Sequence, residues 1–223
     1  MGNRRELGDI VKSLLEKSYA VVPEDIGTDA RLSKSGMVFD TRSYTVEGVG
    51  HLCILNMKAM LGLMKMETVV LSAFEKDVPL VNFDWVSAFG KETQLNEFYD
   101  TQISPYPQEK LDEFMKIKDG DRDIADYVSA AAWYDEILYP CSYRKTGKGL
   151  TQRFSSAVER YAEVFADQLN SAAACDPEAK KEKVREFAET LVEKGGPAVN
   201  QVTKLFGKET AERLILGHMY GVR

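Results

Sequence analysis

The segment from Asp77 to Gly90 carries side chains well placed for acid–base chemistry. Alternation along a strand places apolar residues on one face, and Asn82 and Asp84 on the other face between Leu80 and Val86. Burial of a carboxyl group on that face raises its pKa, because burial penalises the charged form. Such a group is a general acid that donates a proton near neutral pH. A structural alternative, in which Asp84 caps a nearby loop, stays open.

Glu67 is a second candidate acid, and its position depends on how the strand before Asp84 pairs. A four-residue loop pairs residues 74 and 79, which sets Val69 opposite Asp84 and Glu67 diagonally near it on the same face. Two carboxyl groups that share a face raise the pKa of at least one of them. A register shifted by one residue brings Thr68 to Asp84 instead and turns Glu67 away.

A polar segment at 142–149 contains three cations, Arg144, Lys145 and Lys148, and no acid. Its polar residues and two glycines predict a loop. Cations of this kind bind carboxylates, and they also attract acidic proteins during transient encounters. A solvated loop without a function explains the segment equally well.

The chain offers few residues for metal or nucleophilic chemistry. It has two histidines, His51 and His218, and three cysteines whose spacing matches no zinc site. No dinucleotide-binding glycine pattern, P-loop or hydrolase nucleophile motif is present. We therefore predict no metal site. His51 lies on a predicted strand and is either a satisfied structural histidine, a proton relay or a haem ligand.

The elements that must position these side chains follow from the hydrophobic pattern. β-branched and aromatic residues predict strands at 37–41, 43–48, 50–57, 65–74, 79–89 and 94–100. Helical spacing of apolar residues predicts helices at 6–19, 107–118, 121–132, 150–173, 178–194, 197–206 and 208–220. Strands that follow one another without crossover helices favour antiparallel pairing. The prediction is one α+β domain over residues 1–223, a three-layer α/β/α sandwich with a central, largely antiparallel sheet flanked by helices.

Charge and composition exclude several classes of partner. The 223 residues carry 29 Lys and Arg against 35 Asp and Glu, so the formal net charge is −6. A general nucleic-acid-binding protein needs a strongly basic surface, and we expect no nucleic-acid partner. No run of 18 apolar residues is present, and on that ground we expect no membrane partner. Three cysteines and no recognisable signal peptide predict a cytoplasmic protein.

Several of these residues resemble a known family. The pattern Asp77-x-Pro79-x-x-x-x-Asp84, followed by Gly90, Asp100 and Pro105, is similar to the central sheet of the ferredoxin-dependent bilin reductases and the related red chlorophyll catabolite reductases. Residues 206–220 are similar to the closing helix of that family. The resemblance covers residues 43–101 and 150–220, and Asp84 matches the family's catalytic aspartate.

The resemblance implies an enzyme that reduces a linear tetrapyrrole between the sheet and the C-terminal helices. Electrons would arrive singly from ferredoxin or a similar carrier, with no flavin, nicotinamide or metal, so no cofactor is expected. Asp84 would be the catalytic acid, because a protonated bilin is easier to reduce. Asn82 would hydrogen-bond the pyrrolinone oxygens or the aspartate. The three cations of residues 142–149 would bind the propionates or dock the acidic carrier.

The chain departs from the family at two positions. Glu67 or Thr68 stands where several members have a histidine, and Gly196-Pro197 stands where many have Asp-Pro. The second proton donor is thus absent or replaced, and we predict Glu67 as the second catalytic residue, with Glu193 as another candidate. If no donor replaces it, the alternative is a non-catalytic tetrapyrrole- or haem-binding protein of the same fold. A structural protein whose sheet face is closed by helices is a third alternative.

Overall fold

The computed structural model describes residues 4–129 and 132–223, and in these ranges one antiparallel sheet of eight strands dominates the fold. The strands are β1 (Val21–Pro23), β2 (Arg31–Lys34), β3 (Met37–Val46), β4 (Gly50–Ala59), β5 (Met64–Ala73), β6 (Leu80–Ala88), β7 (Lys91–Tyr99) and β8 (Tyr143–Gly147). Strands β3 to β8 lie side by side in chain order, and β1 and β2 both pair with β3.

Helices cover both faces of the sheet. They are α1 (Leu7–Leu15), α2 (Gln108–Asp119), α3 (Thr151–Ser171), α4 (Pro177–Lys194), α5 (Pro197–Phe206), α6 (Lys208–Glu212) and a π-helical segment (Arg213–Met219). Helices α1, α2 and α3 pack on one face, and the later helices pack on the other. This arrangement confirms the predicted three-layer α+β sandwich. Within the described ranges, no helix is long and apolar enough to span a membrane.

Strand β6 shows how the sequence divides the two faces. Phe83 and Trp85 point towards α1–α3 and are buried there in a core rich in aromatic rings. In that core the Phe98 and Phe114 rings lie 4.4 Å apart between centroids. Successive side chains of a strand point to opposite faces of the sheet, so the polar side chains of Asn82 and Asp84 face the C-terminal helices.

Three local predictions need correction. The predicted strands 37–41 and 43–48 form one strand, β3. Residues 142–149, predicted as a loop, contain β8, which pairs with β7. Residues 121–132, predicted as a helix, are not helical where described, because their backbone groups bond to β8. The Tyr127 amide donates to the Arg144 carbonyl at 2.9 Å, and the Thr146 amide donates to the Ala125 carbonyl at 2.9 Å. Residues 130 and 131 lie outside the described residues.

Candidate active site

A cavity of about 270 Å³ lies between the polar face of the sheet and the C-terminal helices. Its sheet wall carries the polar side chains, which include Thr68, Asn82, Asp84, Glu97 and Arg144. Its helix wall is apolar and includes Phe187, Leu191, Leu214, Ile215 and Met219. The cavity thus offers hydrogen-bonding groups on one side and hydrocarbon on the other, as binding sites for large organic ligands do.

Asp84 lies on the sheet wall, and both of its carboxyl oxygens are hydrogen-bonded. The Thr68 hydroxyl donates to Oδ1, and Asn82 Nδ2 donates to Oδ2 at 2.7 Å. Burial raises the pKa of Asp84 to about 7, since the loss of water and the nearby Glu97 carboxylate outweigh the two donors. This carboxyl group therefore exchanges its proton near neutral pH, as a general acid must.

The register between β5 and β6 decides which residues accompany Asp84. Thr68 lies directly opposite Asp84, and Val69 lies opposite Phe83. The predicted pairing of Val69 with Asp84 is therefore wrong, and the register shifted by one residue is the observed one. The cause is the length of the connection between the strands. The β5–β6 pairing ends at Leu71 and Val81, so the connection is longer than the four-residue loop on which the prediction is based.

This register places Glu67 on the opposite face of the sheet from Asp84. Glu67 pairs with Trp85 across the strands, and its side chain lies beneath α1. There Oε2 accepts a hydrogen bond from the Leu7 amide at 2.8 Å and forms an ion pair with Arg4 Nη2 at 2.7 Å. The predicted position of Glu67 beside Asp84 is therefore wrong, and its contacts are those of a residue that anchors the N-terminal segment.

A second buried carboxyl group, Glu97, lines the cavity and is missed by the sequence analysis. The Tyr99 hydroxyl donates to Oε2 at 2.7 Å, and Arg144 Nε lies 3.3 Å from Oε1. Burial raises the pKa of Glu97, although Tyr99 and Arg144 act against the shift. A signal for Glu97 exists in the sequence, since a two-residue turn at Phe89-Gly90 aligns β7 so that Glu97 lies opposite Asn82.

Asn82 supports Asp84 and keeps one acceptor unused. Its Nδ2 is occupied by Asp84, while its Oδ1 is buried and has no hydrogen-bond partner within the described residues. An unpaired buried carbonyl oxygen costs about 1–3 kcal/mol of stability. A ligand N–H in the cavity would satisfy this oxygen, which fits the predicted substrate-binding role of Asn82.

Of the three predicted cations, Arg144 lines the cavity. Its guanidinium is held by two acids and a hydroxyl. Nε faces Glu97, Nη1 donates to Asp135 at 3.0 Å, and Nη2 donates to the Ser129 hydroxyl at 2.7 Å. These contacts fix the guanidinium beside Glu97 and neutralise much of its charge.

Lys145 and Lys148 do not accompany Arg144 into the cavity. Lys145 alternates to the other face of β8, where its ammonium donates to the Ile124 carbonyl at 3.0 Å and lies 2.8 Å from Asp126 Oδ1. The predicted substrate contact of Lys145 is therefore wrong. Lys148 follows the end of β8 and is exposed to solvent.

The two histidines tie the π-helical segment to the rest of the fold. His51 Nε2 lies 2.8 Å from the His218 carbonyl oxygen, and His51 Nδ1 lies 3.5 Å from Glu24 Oε1. His218 Nε2 in turn lies 3.1 Å from Asp29 Oδ2, which also binds Arg213. Neither ring lines the cavity, so the contacts of His51 match the satisfied structural alternative.

The remaining candidates add no further acid to the site. Glu193 is exposed on α4 and does not line the cavity. Gly196, where the resembled family often has an aspartate, does line the cavity but has no side chain to offer. Across residues 4–129 and 132–223, no three His, Cys, Asp or Glu side chains are grouped closely enough to hold a metal ion.

Chemically, the site can bind an extended organic ligand and exchange protons with it. Asp84 can donate a proton near neutral pH, and Glu97 is a second buried carboxyl group on the same wall. The apolar helix wall excludes water from a ligand held against these acids. Exclusion of water strengthens every hydrogen bond and charge interaction within the cavity.

Comparisons with known proteins identify the fold. No protein-family model matches the sequence, and no curated protein matches it. Among solved structures, the chain is similar to phytochromobilin synthase from tomato, determined in complex with biliverdin. The TM-score is 0.77 at 12% sequence identity, and the match covers 97% of this chain and 84% of that one. The protein therefore shares the fold of phytochromobilin synthase, as its resemblance to the bilin reductases implies.

Proposed function

We propose that this protein binds a linear tetrapyrrole in the cavity and reduces it, with Asp84 as the proton donor. The observation that carries the proposal is a carboxyl group with a pKa of about 7 on the wall of an apolar cavity. The cavity occurs in a fold shared with a protein that binds biliverdin. Neither the acid nor the fold alone specifies this chemistry, but together they match a reaction that needs protons at a large apolar ligand.

The two walls of the cavity suit the two kinds of surface on a bilin. Its pyrrole N–H groups can donate to Asn82 Oδ1, which lacks a partner, and to the Asp84 carboxyl oxygens. Its hydrocarbon faces can pack against Ile215 and Met219 on the helix wall. Arg144 has N–H groups beyond those bound to Asp135 and Ser129, and these can reach a propionate.

Reduction of one double bond requires two electrons and two protons. Asp84 donates the first proton to the tetrapyrrole, and the Thr68 and Asn82 donors then stabilise the carboxylate that remains. Protonation lowers the electron density of the conjugated system, so the next electron is accepted more readily. We assign the second proton to Glu97, in place of Glu67 and Glu193, because Glu97 is the other buried carboxyl group of the cavity.

The electrons come one at a time from a ferredoxin or a similar acidic carrier. Lys148 is exposed just beyond the strand that carries Arg144, and its ammonium can contact such a carrier near the cavity. The other two cations of the predicted docking segment have acidic partners within the protein. We therefore expect carrier docking to depend on Lys148 more than on Arg144 or Lys145.

A non-catalytic tetrapyrrole-binding protein is the second candidate. It is favoured by Gly196, which leaves the cavity without the acid that many bilin reductases have at that position. Glu97 distinguishes the two candidates. If it supplies the second proton, the protein is an enzyme, and if it only orients Arg144, the protein binds without turnover.

The test is to add biliverdin to the purified protein, record the visible spectrum, and then add reduced ferredoxin anaerobically. We expect a spectral shift on binding and a second change on reduction. Asp84→Asn should keep the spectral shift on binding and lose the spectral change on reduction. Glu193→Gln removes an exposed acid outside the cavity, and it should behave like the wild-type protein. An unchanged spectrum with biliverdin would contradict both candidate functions. Binding without any reduction by the wild-type protein would contradict the reductase and support the non-catalytic tetrapyrrole-binding protein.

A further inference from the structure

One end of the sheet exposes a cluster of large apolar side chains. The β4–β5 and β6–β7 connections meet there, and the Phe89 amide donates to the Leu63 carbonyl at 3.3 Å. The exposed fractions are 54% for Met60, 105% for Leu61, 61% for Leu63 and 66% for Phe89. We call these four residues the apolar tip. Contiguous exposed apolar groups of this kind mark interaction sites on soluble folds.

The backbone of the apolar tip is held in an unfavourable conformation. Met60, Leu61 and Phe89 have φ angles of 53°, 56° and 51°, in the left-handed region that residues with a side chain rarely adopt. Strain of this kind persists where the surroundings impose it, and it concentrates at functional sites. At Phe89-Gly90 a two-residue hairpin turn imposes the positive φ angles, and such turns favour Asn, Asp or Gly, so the turn geometry does not require the large apolar side chain that Phe89 holds in solvent.

Lysines surround the apolar tip. Lys34, Lys58, Lys65 and Lys91 are all exposed at this end of the sheet, and none forms an ion pair within the described residues. We call them the lysine collar. The acids nearest to it on β5 and β7, Glu67 and Glu92, point inward and are bonded there to Arg4 and Trp85. A protein of net charge −6 therefore presents a basic surface around this apolar tip.

We propose that the apolar tip and the lysine collar dock this protein onto the surface of an anionic lipid bilayer. Lys58 and Lys65 lie two residues behind the tip along their strands, and Lys91, paired with Ala88, lies one residue behind Phe89. At about 3.3 Å per residue, these backbones sit about 3–7 Å behind it. Residues that bind at a membrane interface insert to a depth of about 5–10 Å, so the tip reaches the acyl boundary while the ammonium groups stay among the headgroups.

A surface contact is compatible with the sequence, which predicts no membrane partner only because it has no spanning segment. A projecting tip also fits a bilayer better than a protein partner, which needs a broader face of about 800 Å² per side. The cavity approaches the same end of the sheet, since Met66 and Val86 line it and lie two residues inward from Met64 and Ala88. This proposal goes beyond the proposed reduction and does not depend on it.

The test is co-sedimentation of the full chain with vesicles of phosphatidylcholine alone or mixed with phosphatidylserine, in the absence of any tetrapyrrole or electron carrier. We expect binding to the mixed vesicles that weakens with added salt. Leu61→Ser combined with Leu63→Ser should reduce the partition coefficient on the order of tenfold or more. Lys58→Gln combined with Lys65→Gln should reduce it by about fivefold per lysine on the mixed vesicles.

The controls use exposed positions away from the apolar tip. Val128→Ser changes an apolar residue that is 86% exposed, and Lys17→Gln combined with Lys183→Gln removes two exposed charges. Both should bind like the wild-type protein. Failure of the wild-type protein to bind mixed vesicles would overturn the proposal. Self-association in vesicle-free solution that Leu61→Ser with Leu63→Ser abolishes would also overturn it, because the tip would then contact a second copy of the chain.

Discussion

The half-buried Asp84 carboxyl group should make the stability of this protein fall as the pH rises towards 8, and Asp84→Asn should remove that effect. The folded state raises the pKa of Asp84 from the ordinary 3.8 to about 7. The stability that this group contributes is therefore fully present below the ordinary pKa and is lost as the pH rises through about 7. Asn has nearly the same shape as a protonated Asp, and its amide can donate to Asn82 when the Asn82 amide turns over, so that Oδ1 takes the place of Nδ2.

The size of the effect follows from the two pKa values. Each unit of difference corresponds to about 1.4 kcal/mol, so the whole effect is about 4 kcal/mol between the fully protonated and fully ionised limits. Between about pH 5 and about pH 8 the free energy of unfolding of the wild-type protein should fall relative to that of Asp84→Asn by about 2–3 kcal/mol. In a protein of this size, that corresponds to a Tm difference of about 5–10 °C.

The assay is urea denaturation of the wild-type protein and Asp84→Asn at both pH values. Each comparison is made at one pH, so titration of the carboxyl groups that do not interact with Asp84 cancels between the two proteins. Glu193→Gln serves as the control, because its exposed carboxyl group should give a difference that does not change with pH. A difference between wild-type and Asp84→Asn that stays constant within about 0.5 kcal/mol would refute the claim that burial controls this acid.

Three further predictions concern the residues around the site and its supports. Arg144→Met leaves Glu97 buried without its cation, so the free energy of unfolding in urea should fall by about 2–4 kcal/mol at neutral pH. The loss should be clearly smaller at acidic pH, where Glu97 is protonated, and an equal loss at both pH values would contradict this prediction. Asp176 Oδ1 accepts the first amides of α4, so Asp176→Ala should lower that free energy by about 1 kcal/mol, and no loss would show that the cap is not formed. Gly221 has a φ of +67°, and a Cβ there would lie 2.5 Å from the His51 ring, so Gly221→Ala should lower the Tm by several degrees, and an unchanged Tm would contradict that contact.

The predicted strands are close to the observed ones because alternation and β-branched residues are local signals. The same signals identify Asp84 and Asn82 as polar residues on one face of β6. They do not determine how β5 pairs with β6, which depends on the length of the connection. Because a shift by one residue reverses the face, an error of one position moves Glu67 from the cavity to the underside of α1.

Other features depend on contacts between segments far apart in the chain. Residues 143–147 form a strand only because β7 offers an unpaired edge, and Ala125 and Tyr127 are then drawn alongside β8 in place of a helix. The same strand separates Arg144 from Lys145, since alternation sends them to opposite faces. Glu97 was accessible from sequence, because the two-residue turn before β7 is short enough to determine the register.

The central claim, that Asp84 gives its proton to a bound tetrapyrrole, is tested most directly by the rate of biliverdin reduction in a single anaerobic turnover as a function of pH. For the wild-type protein we expect the rate to fall about tenfold per pH unit above an apparent pKa at or above 7. Asp84→Asn should still bind biliverdin, and the bound ligand should react about 10²–10⁴-fold more slowly at every pH. A variant that binds biliverdin and reduces it at the wild-type rate would contradict the account.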